Sequence, residues 1–387
     1  MYRVFVINPG STSTKVAYYE DDRKVRETSI THPAEELSKY SRAIEQLAMR
    51  KSVILEFMQS TGITKLDAAI SRGGPLKPLK SGVYRINESM LTDIREGRVR
   101  AEHISLVGPL IAYELTQKFG GIPMVADPIS VDEFEPLARI SGIPEIERQA
   151  LQHTLNIKAV ARKVAAKLGK KLDELNLVIT HIGGGISVCP LKKGKIVDTN
   201  NAVEEGPFSP ERSGGLPVTT LVKLCFSGKY SYEWIRRRLV GNGGLMAYLG
   251  TNDLREVDRR IEAGDDYARL ILEAMAYQIA KEIGAMSTVL YGEVDRIVLT
   301  GGGARCERLV NWIVQRVKFI APVEVYPGED EISALASAAL RALRGEELSL
   351  STDQCRTTTL RVMYLSPATQ RKKYIPEWSS PISQTIR

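Results

Sequence analysis

The chain has 387 residues, of which 43% are hydrophobic and 26% charged, and its formal net charge is +7 at pH 7. Single hydrophobic cores stop growing near roughly 250 to 300 residues, so this length predicts two domains. No apolar run approaches the ~18 residues that a membrane span needs. Basic residues alternate with acidic ones and aromatic residues make up only 6%, which argues against a nucleic-acid partner and favours a surface that attracts anionic substrates.

The four cysteines are widely spaced and form no Cys-x-x-Cys pair. Neither a zinc knuckle nor a disulfide framework is therefore predicted. The N-terminus leads directly into a strand-like run at 4–7, without a basic leader or a cleavage site. We therefore expect a cytoplasmic protein.

Apolar runs rich in Val and Ile alternate with helical patterns along the chain, which is typical of an α/β protein. In the first part, strands are predicted over 4–7, 15–19, 25–30, 68–70 and 124–126. Helices are predicted over 41–61, over 106–119 and over a long region at 144–169. In the second part, strands are predicted over 177–182, 186–191, 195–197 and 295–300.

One order of elements occurs twice. The strand at 4–7 is followed by a polar loop, a second strand, a charged turn and a third strand. The strand at 177–182 is followed by a glycine-rich loop, a second strand, a basic turn and a third strand. Such duplication predicts two similar domains that face each other across a cleft, each contributing one loop to a shared ligand.

Three loops have the small side chains that phosphate binding requires, because backbone N–H groups and hydroxyls must come within about 3 Å of the phosphate oxygens. The first loop, which follows a predicted strand, offers Asn8, Ser11, Ser13 and Lys15. The other two are glycine runs, namely Gly183, Gly184 and Gly185, and Gly301, Gly302 and Gly303, the last of which opens a predicted helix. The sequence contains neither a P-loop motif nor a Rossmann fingerprint after its first strand.

Several motifs together resemble the butyrate kinases and branched-chain fatty-acid kinases of the acetate kinase family, over roughly residues 2 to 345. They are Asn8-Pro-Gly-Ser-Thr-Ser-Thr-Lys15, Ser71-Arg-Gly-Gly74, Asp127-Pro128, His153 within 152–158, His181-Ile-Gly-Gly-Gly-Ile-Ser187, Gly206-Pro-Phe-Ser-Pro-Glu-Arg-Ser-Gly-Gly-Leu-Pro217, Gly250-Thr-Asn-Asp253 and Pro327-Gly-Glu-Asp-Glu331. This family belongs to the actin-like ATPase superfamily. The resemblance implies two duplicated ribonuclease-H-like domains around a nucleotide cleft.

The domain boundaries expected from this resemblance are 1–155 for the N-terminal domain and 156–330 for the C-terminal, nucleotide-binding domain. A helix over 331–345 is expected to return toward the first domain. Residues 346–387 are rich in Ser, Thr, Pro and basic residues and show no sustained period. We expect them to form a disordered tail without a role in chemistry.

The resemblance further implies reversible transfer of the γ-phosphoryl group of ATP to a short carboxylic acid, with Mg²⁺, giving an acyl phosphate and ADP. It implies a homo-oligomer whose partners are a small carboxylic acid and a nucleotide, with no nucleic acid and no membrane. A carboxylic acid with a pKa near ~4 to 5 is already ionised at neutral pH, so the reaction needs no general base. Catalysis then depends on in-line positioning and on neutralising charge at the phosphoryl oxygens.

Roles for individual residues follow from the same resemblance. Arg72 and Arg212 match the arginines aimed at the transferring group and at the substrate carboxylate, and His153 matches a histidine that contacts the phosphoryl group. His103 lies near a substrate-side histidine, and Asp127 matches a carboxylate near the metal. Glu331 matches a magnesium-associated glutamate, although Glu329 and Asp330 are adjacent alternatives.

The loops described above receive cofactor-binding roles. Asn8, Ser11, Ser13 and Lys15 would be donors near the γ-phosphate, although Lys15 could instead pair with a nearby carboxylate. The Gly301 run and the segment 206–215 would frame the adenosine. Here the sequence Gly303-Ala-Arg-Cys306 departs from the family pattern, so the base and ribose contacts stay open.

Three other functions remain open from the sequence. An acetate or propionate kinase would use the same phosphate-binding residues with a smaller acyl pocket. A phosphatase on the same fold would need a carboxylate that positions water. An actin-like or chaperone-like scaffold would bind nucleotide without turning over an acid.

Overall fold

The computed structural model describes residues 1–351, which form twelve β-strands and twelve α-helices. The strands are β1 Arg3–Pro9, β2 Ser13–Glu20, β3 Arg23–Thr31, β4 Ala68–Arg72, β5 Val83–Arg85, β6 Ile122–Ala126, β7 Leu177–Ile182, β8 Ile186–Lys192, β9 Lys195–Ile196, β10 Arg296–Gly301, β11 Val323–Pro327 and β12 Ser349–Leu350. The helices are α1 Ala34–Leu37, α2 Leu47–Ser60, α3 Glu88–Arg95, α4 Val107–Phe119, α5 Thr154–Leu168, α6 Val218–Cys225, α7 Tyr232–Leu239, α8 Gly244–Leu249, α9 Leu254–Glu262, α10 Asp266–Val289, α11 Glu307–Val317 and α12 Glu331–Leu343. No helix within residues 1–351 combines the length and the apolar character needed to span a membrane.

The strands form two sheets with the same central topology. The first sheet has the order β12-β5-β6-β4-β1-β2-β3 and the second the order β11-β10-β7-β8-β9. In each sheet, three consecutive antiparallel strands are followed by two parallel strands, β4 and β6 in the first and β10 and β11 in the second. The predicted duplication is confirmed in this strand pairing.

Both sheets are covered by helices on both faces, which explains why their central strands are continuous apolar runs. Every residue of β7 is buried, and so are all residues of β1 after Arg3. In the first sheet, α2 and α4 contribute to the core on one face and α12 to the core on the other. In the second sheet, α10 and α11 pack on one face and α5 on the other.

The last helix connects the two halves. α12 follows β11 of the second sheet, but its buried residues pack against β1, β4 and β6 of the first sheet. Leu335 and Ala339 are completely buried there, in the same core as Val4 and Val6. The N-terminus of α12 therefore lies where the two sheets approach each other.

Two predicted helices are shorter in the structure. Of the predicted helical region 144–169, only α5 is helical, because side-chain hydrogen bonds hold the preceding segment in a non-helical path. Arg148 donates to the carbonyl oxygens of Ala138 at 2.9 Å and Thr199 at 2.7 Å, and Gln152 donates to that of Val131 at 2.9 Å. The predicted helix 41–61 is divided into a short 3₁₀ turn at Ala43–Gln46 and α2.

The predicted start of the tail, residue 346, is too early, because a β-strand follows it. β12 lies inside the predicted tail 346–387 and pairs in parallel with β5, through Ser349 opposite Val83 and Leu350 opposite Tyr84. The remainder of the predicted tail, 352–387, lies outside the described residues.

Candidate active site

The carboxyl ends of two parallel strands in the first sheet meet the start of α12. Asn8 lies near the end of β1 and Arg72 ends β4. The Asn8 amide donates to Glu331 Oε2 at 2.7 Å, and Arg72 Nη1 lies 2.9 Å from Glu331 Oε1. Carboxyl ends of neighbouring parallel strands lie at one edge of a sheet, where ligands bind in many α/β proteins.

Two histidines form a stacked pair beside this cluster. The rings of His153 and His181 lie 3.9 Å apart between centroids, at an interplanar angle of 13°. His153 Nδ1 is 2.9 Å from the Ser187 hydroxyl, and His181 Nδ1 is 2.9 Å from Asn156 Oδ1. Each ring is therefore oriented by a hydrogen-bonding side chain at its Nδ1 atom.

His181 is also close to a carboxylate. Its Nε2 lies 3.1 Å from Glu329 Oε1, a distance typical of an ion pair but without the alignment of a hydrogen bond. His181 is buried, whereas the Glu329 side chain is 36% exposed. Glu329 therefore lies between the buried histidine and the protein surface.

The loop between β7 and β8 lies against Arg212. A Cβ atom on Gly185 would be only 2.3 Å from Arg212 Nη1, so the guanidinium packs directly on the glycine backbone. Arg212 Nη1 donates to the Ala202 carbonyl oxygen at 2.6 Å. The Ser209 hydroxyl donates to the Gly184 carbonyl oxygen and thereby ties the Arg212 segment to the glycine loop.

The residues from the two sheets share one crevice. A Cβ atom on Gly183 would lie 3.0 Å from His181 Nε2 and 3.5 Å from Glu329 Oε1. Glu329 is two residues before Glu331, which binds Asn8. The glycine loop of the second sheet and the polar loop of the first sheet thus meet at the segment between β11 and α12.

Burial and nearby charged groups shift three pKa values in this crevice. Enclosure by the protein, followed by the proximity of His181, Arg72 and Arg212, lowers the pKa of His153 well below its ordinary value. The approach of His181 and the charges of Arg72 and Lys15 lower the pKa of Glu329. Burial lowers the pKa of the Arg212 guanidinium. At neutral pH the crevice therefore holds a neutral His153 among positively charged arginines.

The third glycine run follows β10 and packs on the β7–β8 loop. Gly301 has φ +88° and pairs with Gly328, and a Cβ atom on Gly303 would be 2.4 Å from Ile182 Cγ2. By contrast, no atom lies within 4 Å of the position of a Cβ atom on Gly302. A short 3₁₀ turn at Gly302–Arg305 precedes α11, so this run does not open an α-helix directly as predicted.

Residues 147–338 match the model of the acetokinase family. A probable butyrate kinase 2 of Caldanaerobacter subterraneus subsp. tengcongensis is 51% identical over 349 residues, which are 90% of this chain and 98% of the relative. The chain belongs to the acetokinase family. The predicted family resemblance is confirmed.

Solved structures of acetokinase-like enzymes share the fold. An acetate kinase of Porphyromonas gingivalis has a TM-score of 0.73 at 18% identity, covering 89% of this chain and 100% of that chain. A propionate kinase of Francisella tularensis subsp. tularensis has a TM-score of 0.71 at 17% identity, covering 87% and 99%. At these identities the likeness concerns the fold, which agrees with the duplicated two-sheet architecture.

In this acetokinase-family chain, Asp127, which was predicted to lie near the metal, makes none of the contacts that join Asn8, Arg72 and Glu331. Its side chain is only 2% exposed, and its Oδ1 accepts from the Ser81 hydroxyl at 2.6 Å and from the Gly82 N–H at 2.9 Å. Its Oδ2 lies 3.2 Å from Arg162 Nη1. These contacts hold the Asp127 carboxylate between the Ser81–Gly82 segment and α5, directly after β6.

Ser11 lies in the loop between β1 and β2, and Ser13 and Lys15 lie in the first three residues of β2. Ser11 and Lys15 are exposed, and Ser13 is half-buried. Lys15 pairs with Asn8 in the β1–β2 ladder. These residues therefore border the crevice from the side of the first sheet.

His103 precedes a 3₁₀ turn at Ile104–Leu106, and its Nδ1 caps that turn by accepting from the Ser105 N–H at 3.2 Å. Burial of one side of the His103 ring, followed by the nearby charge of Arg72, lowers the pKa of His103. The other side of the residue is exposed. His103 also lines a cavity of about 160 Å³ together with Ile94 and Leu106. The structure thus places His103 near Arg72.

In the sequence, His181 stands out only as part of a motif, which predicted no role for it. Its stacking on His153 and its approach to Glu329 could not be predicted without the fold, since Asn156 and Glu329 are distant from it in sequence. The glycine run that follows His181 was the one available signal. Nor did the sequence separate Glu329, next to His181, from Glu331, next to Arg72.

Proposed function

We propose that this protein transfers the γ-phosphoryl group of ATP to the carboxylate of a short-chain fatty acid, reversibly, giving an acyl phosphate and ADP. Butyrate or a branched-chain analogue is the proposed acid. Family membership and the 51% identity to a probable butyrate kinase 2 support the proposal. The observation that carries it is the contact of Asn8 and Arg72 with Glu331, beside the glycine loop and Arg212 of the second sheet.

The proposed mechanism relies on charge and position. The acid is already ionised at neutral pH, so no group in the crevice has to remove a proton. Arg72 and Arg212 would neutralise charge on the phosphoryl oxygens and orient the acid, since guanidinium groups bind carboxylate and phosphate oxygens in a bidentate manner. A neutral His153 would donate a hydrogen bond to a phosphoryl oxygen without adding a further charge.

The nucleotide would bind between the two sheets, which we propose as the centres of the domains 1–155 and 156–330. The Gly183 loop and the open face at Gly302 would accept its phosphates and its adenosine, because a missing side chain allows close approach to the backbone. Asn8, Ser13 and Lys15 would contact the terminal phosphate from the opposite side. We also propose a cytoplasmic homo-oligomer, on the family resemblance alone.

Magnesium fits one of the two predicted carboxylates better than the other. Mg²⁺ in phosphoryl-transfer sites binds one or two carboxylates together with substrate phosphates. Glu331 lies in the crevice at the N-terminus of α12 with 14% of its side chain exposed, whereas the Asp127 side chain is only 2% exposed. We therefore propose that Glu331 would hold the ion. The ion would help to neutralise the negative charge of the phosphates.

A hydroxamate assay tests the proposed function. Purified protein is incubated with ATP, Mg²⁺ and a panel of straight and branched acids of two to six carbons, and the acyl phosphate is trapped with hydroxylamine. We expect the highest kcat/KM with four- and five-carbon acids. A maximum at acetate or propionate would assign the smaller substrate, and phosphate release without hydroxamate would favour a phosphatase.

A further inference from the structure

A completely buried arginine lies beneath the polar loop between β1 and β2. Arg50 is in the first turn of α2 and has an exposed fraction of 0%. Its Nη1 donates to the Ser13 carbonyl oxygen at 3.0 Å and to Thr14 Oγ1 at 2.8 Å, and its Nη2 donates to the Ser11 carbonyl oxygen at 3.1 Å. Its Nε donates to Gln46 Oε1 at 3.0 Å. One side chain therefore binds three residues of the loop from inside the protein.

The charge of this arginine is not paired with an acid in the part of the chain that the structure describes. All four hydrogen-bond acceptors of Arg50 within residues 1–351 are uncharged oxygens. Burial lowers its pKa to about 10, which leaves it charged at neutral pH. A buried charge without a counter-ion is costly. This cost is reduced if an anion binds on the other side of the loop.

The carbonyl groups of Ser11, Thr12 and Ser13 are occupied from the protein side. Arg50 binds the carbonyl oxygens of Ser11 and Ser13, and the backbone N–H of His32 donates to that of Thr12 at 2.9 Å. The Gly10 N–H also donates to the Ser13 carbonyl oxygen, at 2.8 Å. Carbonyl oxygens repel an anion, so their engagement leaves the outer side of the loop suited to phosphate.

We propose that Arg50 is a positioning residue for the terminal phosphate of ATP. It holds residues 11–14 in the binding conformation and places an uncompensated positive charge behind them. Neither its isolated position in a helix nor any motif of the sequence indicates this role. The inference rests on the proposed function only in naming ATP as the anion.

Nucleotide binding without an acid tests the role directly. Dissociation constants for ATP and for ADP, each with Mg²⁺, are measured by calorimetry for the wild type, for Arg50→Gln and for Arg50→Lys. The Gln variant retains an amide that can donate to a carbonyl oxygen but removes the charge. We expect its Kd for ATP to rise about tenfold, the effect of a unit charge roughly 10 Å away in a partly buried site, and its Kd for ADP to rise by a smaller factor because the phosphates of ADP would lie farther from Arg50.

Arg50→Lys keeps the charge and loses the planar fork. We expect it to restore most of the preference for ATP over ADP, because that preference depends on charge. The matched control is Lys51→Gln, which removes a charge from the next position of α2, where Lys51 pairs with Glu114 at 2.5 Å. This control should leave both dissociation constants unchanged.

Three results would overturn the proposal. They are equal weakening of ATP and ADP binding in Arg50→Gln, wild-type affinity for ATP in that variant, and loss of the ATP preference in a folded Arg50→Lys protein. If Arg50→Gln does not fold, the Lys variant alone decides. Failure of the proposed function gives a different result, namely a wild type that binds ATP but forms no acyl phosphate with any acid of the panel.

Discussion

Arg72 and Glu331 are 259 positions apart in the sequence, yet Arg72 Nη1 lies 2.9 Å from Glu331 Oε1. Arg72 ends β4 of the first sheet, and Glu331 begins the helix that follows the second sheet. This ion pair therefore connects the two halves of the chain at the crevice where the nucleotide is proposed to bind.

Replacing Arg72 by glutamine is expected to lower kcat/KM for acyl phosphate formation by at least about 100-fold, because a donor aimed at developing charge is lost. The matched control is Arg3→Gln. Arg3 Nε lies 3.0 Å from Asp67 Oδ2 in an ion pair at the opposite ends of the same two parallel strands. Equal losses of activity in both variants would show that Arg72 contributes only to the stability of the sheet.

Arg212→Ala is expected to lower kcat by at least about 100-fold while nucleotide binding survives, because its charge matters mainly in the transition state. Steady-state kinetics with the preferred acid and calorimetry with ADP separate the two effects. Arg237→Ala, which alters an exposed arginine of α7, serves as the control. Unchanged turnover in Arg212→Ala would exclude the proposed role.

Gly185→Ala should mimic the loss of Arg212 without removing it. The new Cβ atom would lie 2.3 Å from Arg212 Nη1, so the guanidinium must move. A displacement of about 1 Å can cost as much as 100-fold in rate, so we expect a fall in kcat of at least about tenfold with little change in melting temperature. Gly142→Ala, at an exposed position with no atom within 4 Å of the added carbon, should have wild-type kinetics. Wild-type kcat in Gly185→Ala would contradict the packing described for Arg212.

His153 is expected to make the protein less stable at mildly acidic pH. Its pKa is lowered in the folded state, so between that lowered value and ~6.5 the unfolded chain binds more protons than the folded chain. Stability is complete above about pH 6.5 and is lost as the pH falls below it, by at most about 1.4 kcal/mol at pH 5.5 for this group.

Urea unfolding at pH 7.5, 6.5 and 5.5 measures this dependence. The variant His153→Asn should show a smaller decrease in the free energy of unfolding between pH 6.5 and 5.5. It should not abolish the decrease, because burial and the nearby Arg50 also lower the pKa of His32. An identical pH dependence in the variant and the wild type would count against a neutral His153 in the folded state.

The duplicated core could be predicted because its signals are local. Runs of Val and Ile that are buried on both sides mark β1 and β7 directly, and the loop that follows each has a recognisable composition. The segment 144–153 could not be predicted as non-helical. Its path depends on hydrogen bonds from Arg148 and Gln152 to distant carbonyl groups, which leave no periodic pattern in the sequence.

The sequence predicted which residues belong to the candidate site better than it predicted how those residues are arranged. Motifs indicated Asn8, Arg72 and Arg212, but the side-chain environment of Asp127 depends on Ser81, Gly82 and Arg162, which come from other parts of the chain. Arg50 had no sequence signal at all, since a single arginine in a helix is normally a surface residue. Tertiary contacts alone distinguish such a residue from its half-buried neighbour Lys51.

Placement of α12 has a consequence for how the protein is made. During synthesis both sheets can acquire their parallel cores before residue 331 is added, yet one apolar face of the first sheet stays uncovered until α12 docks on it. A prematurely terminated chain ending after β11 would therefore be both inactive and prone to aggregate. The proposed crevice can therefore form only after α12 has been synthesised.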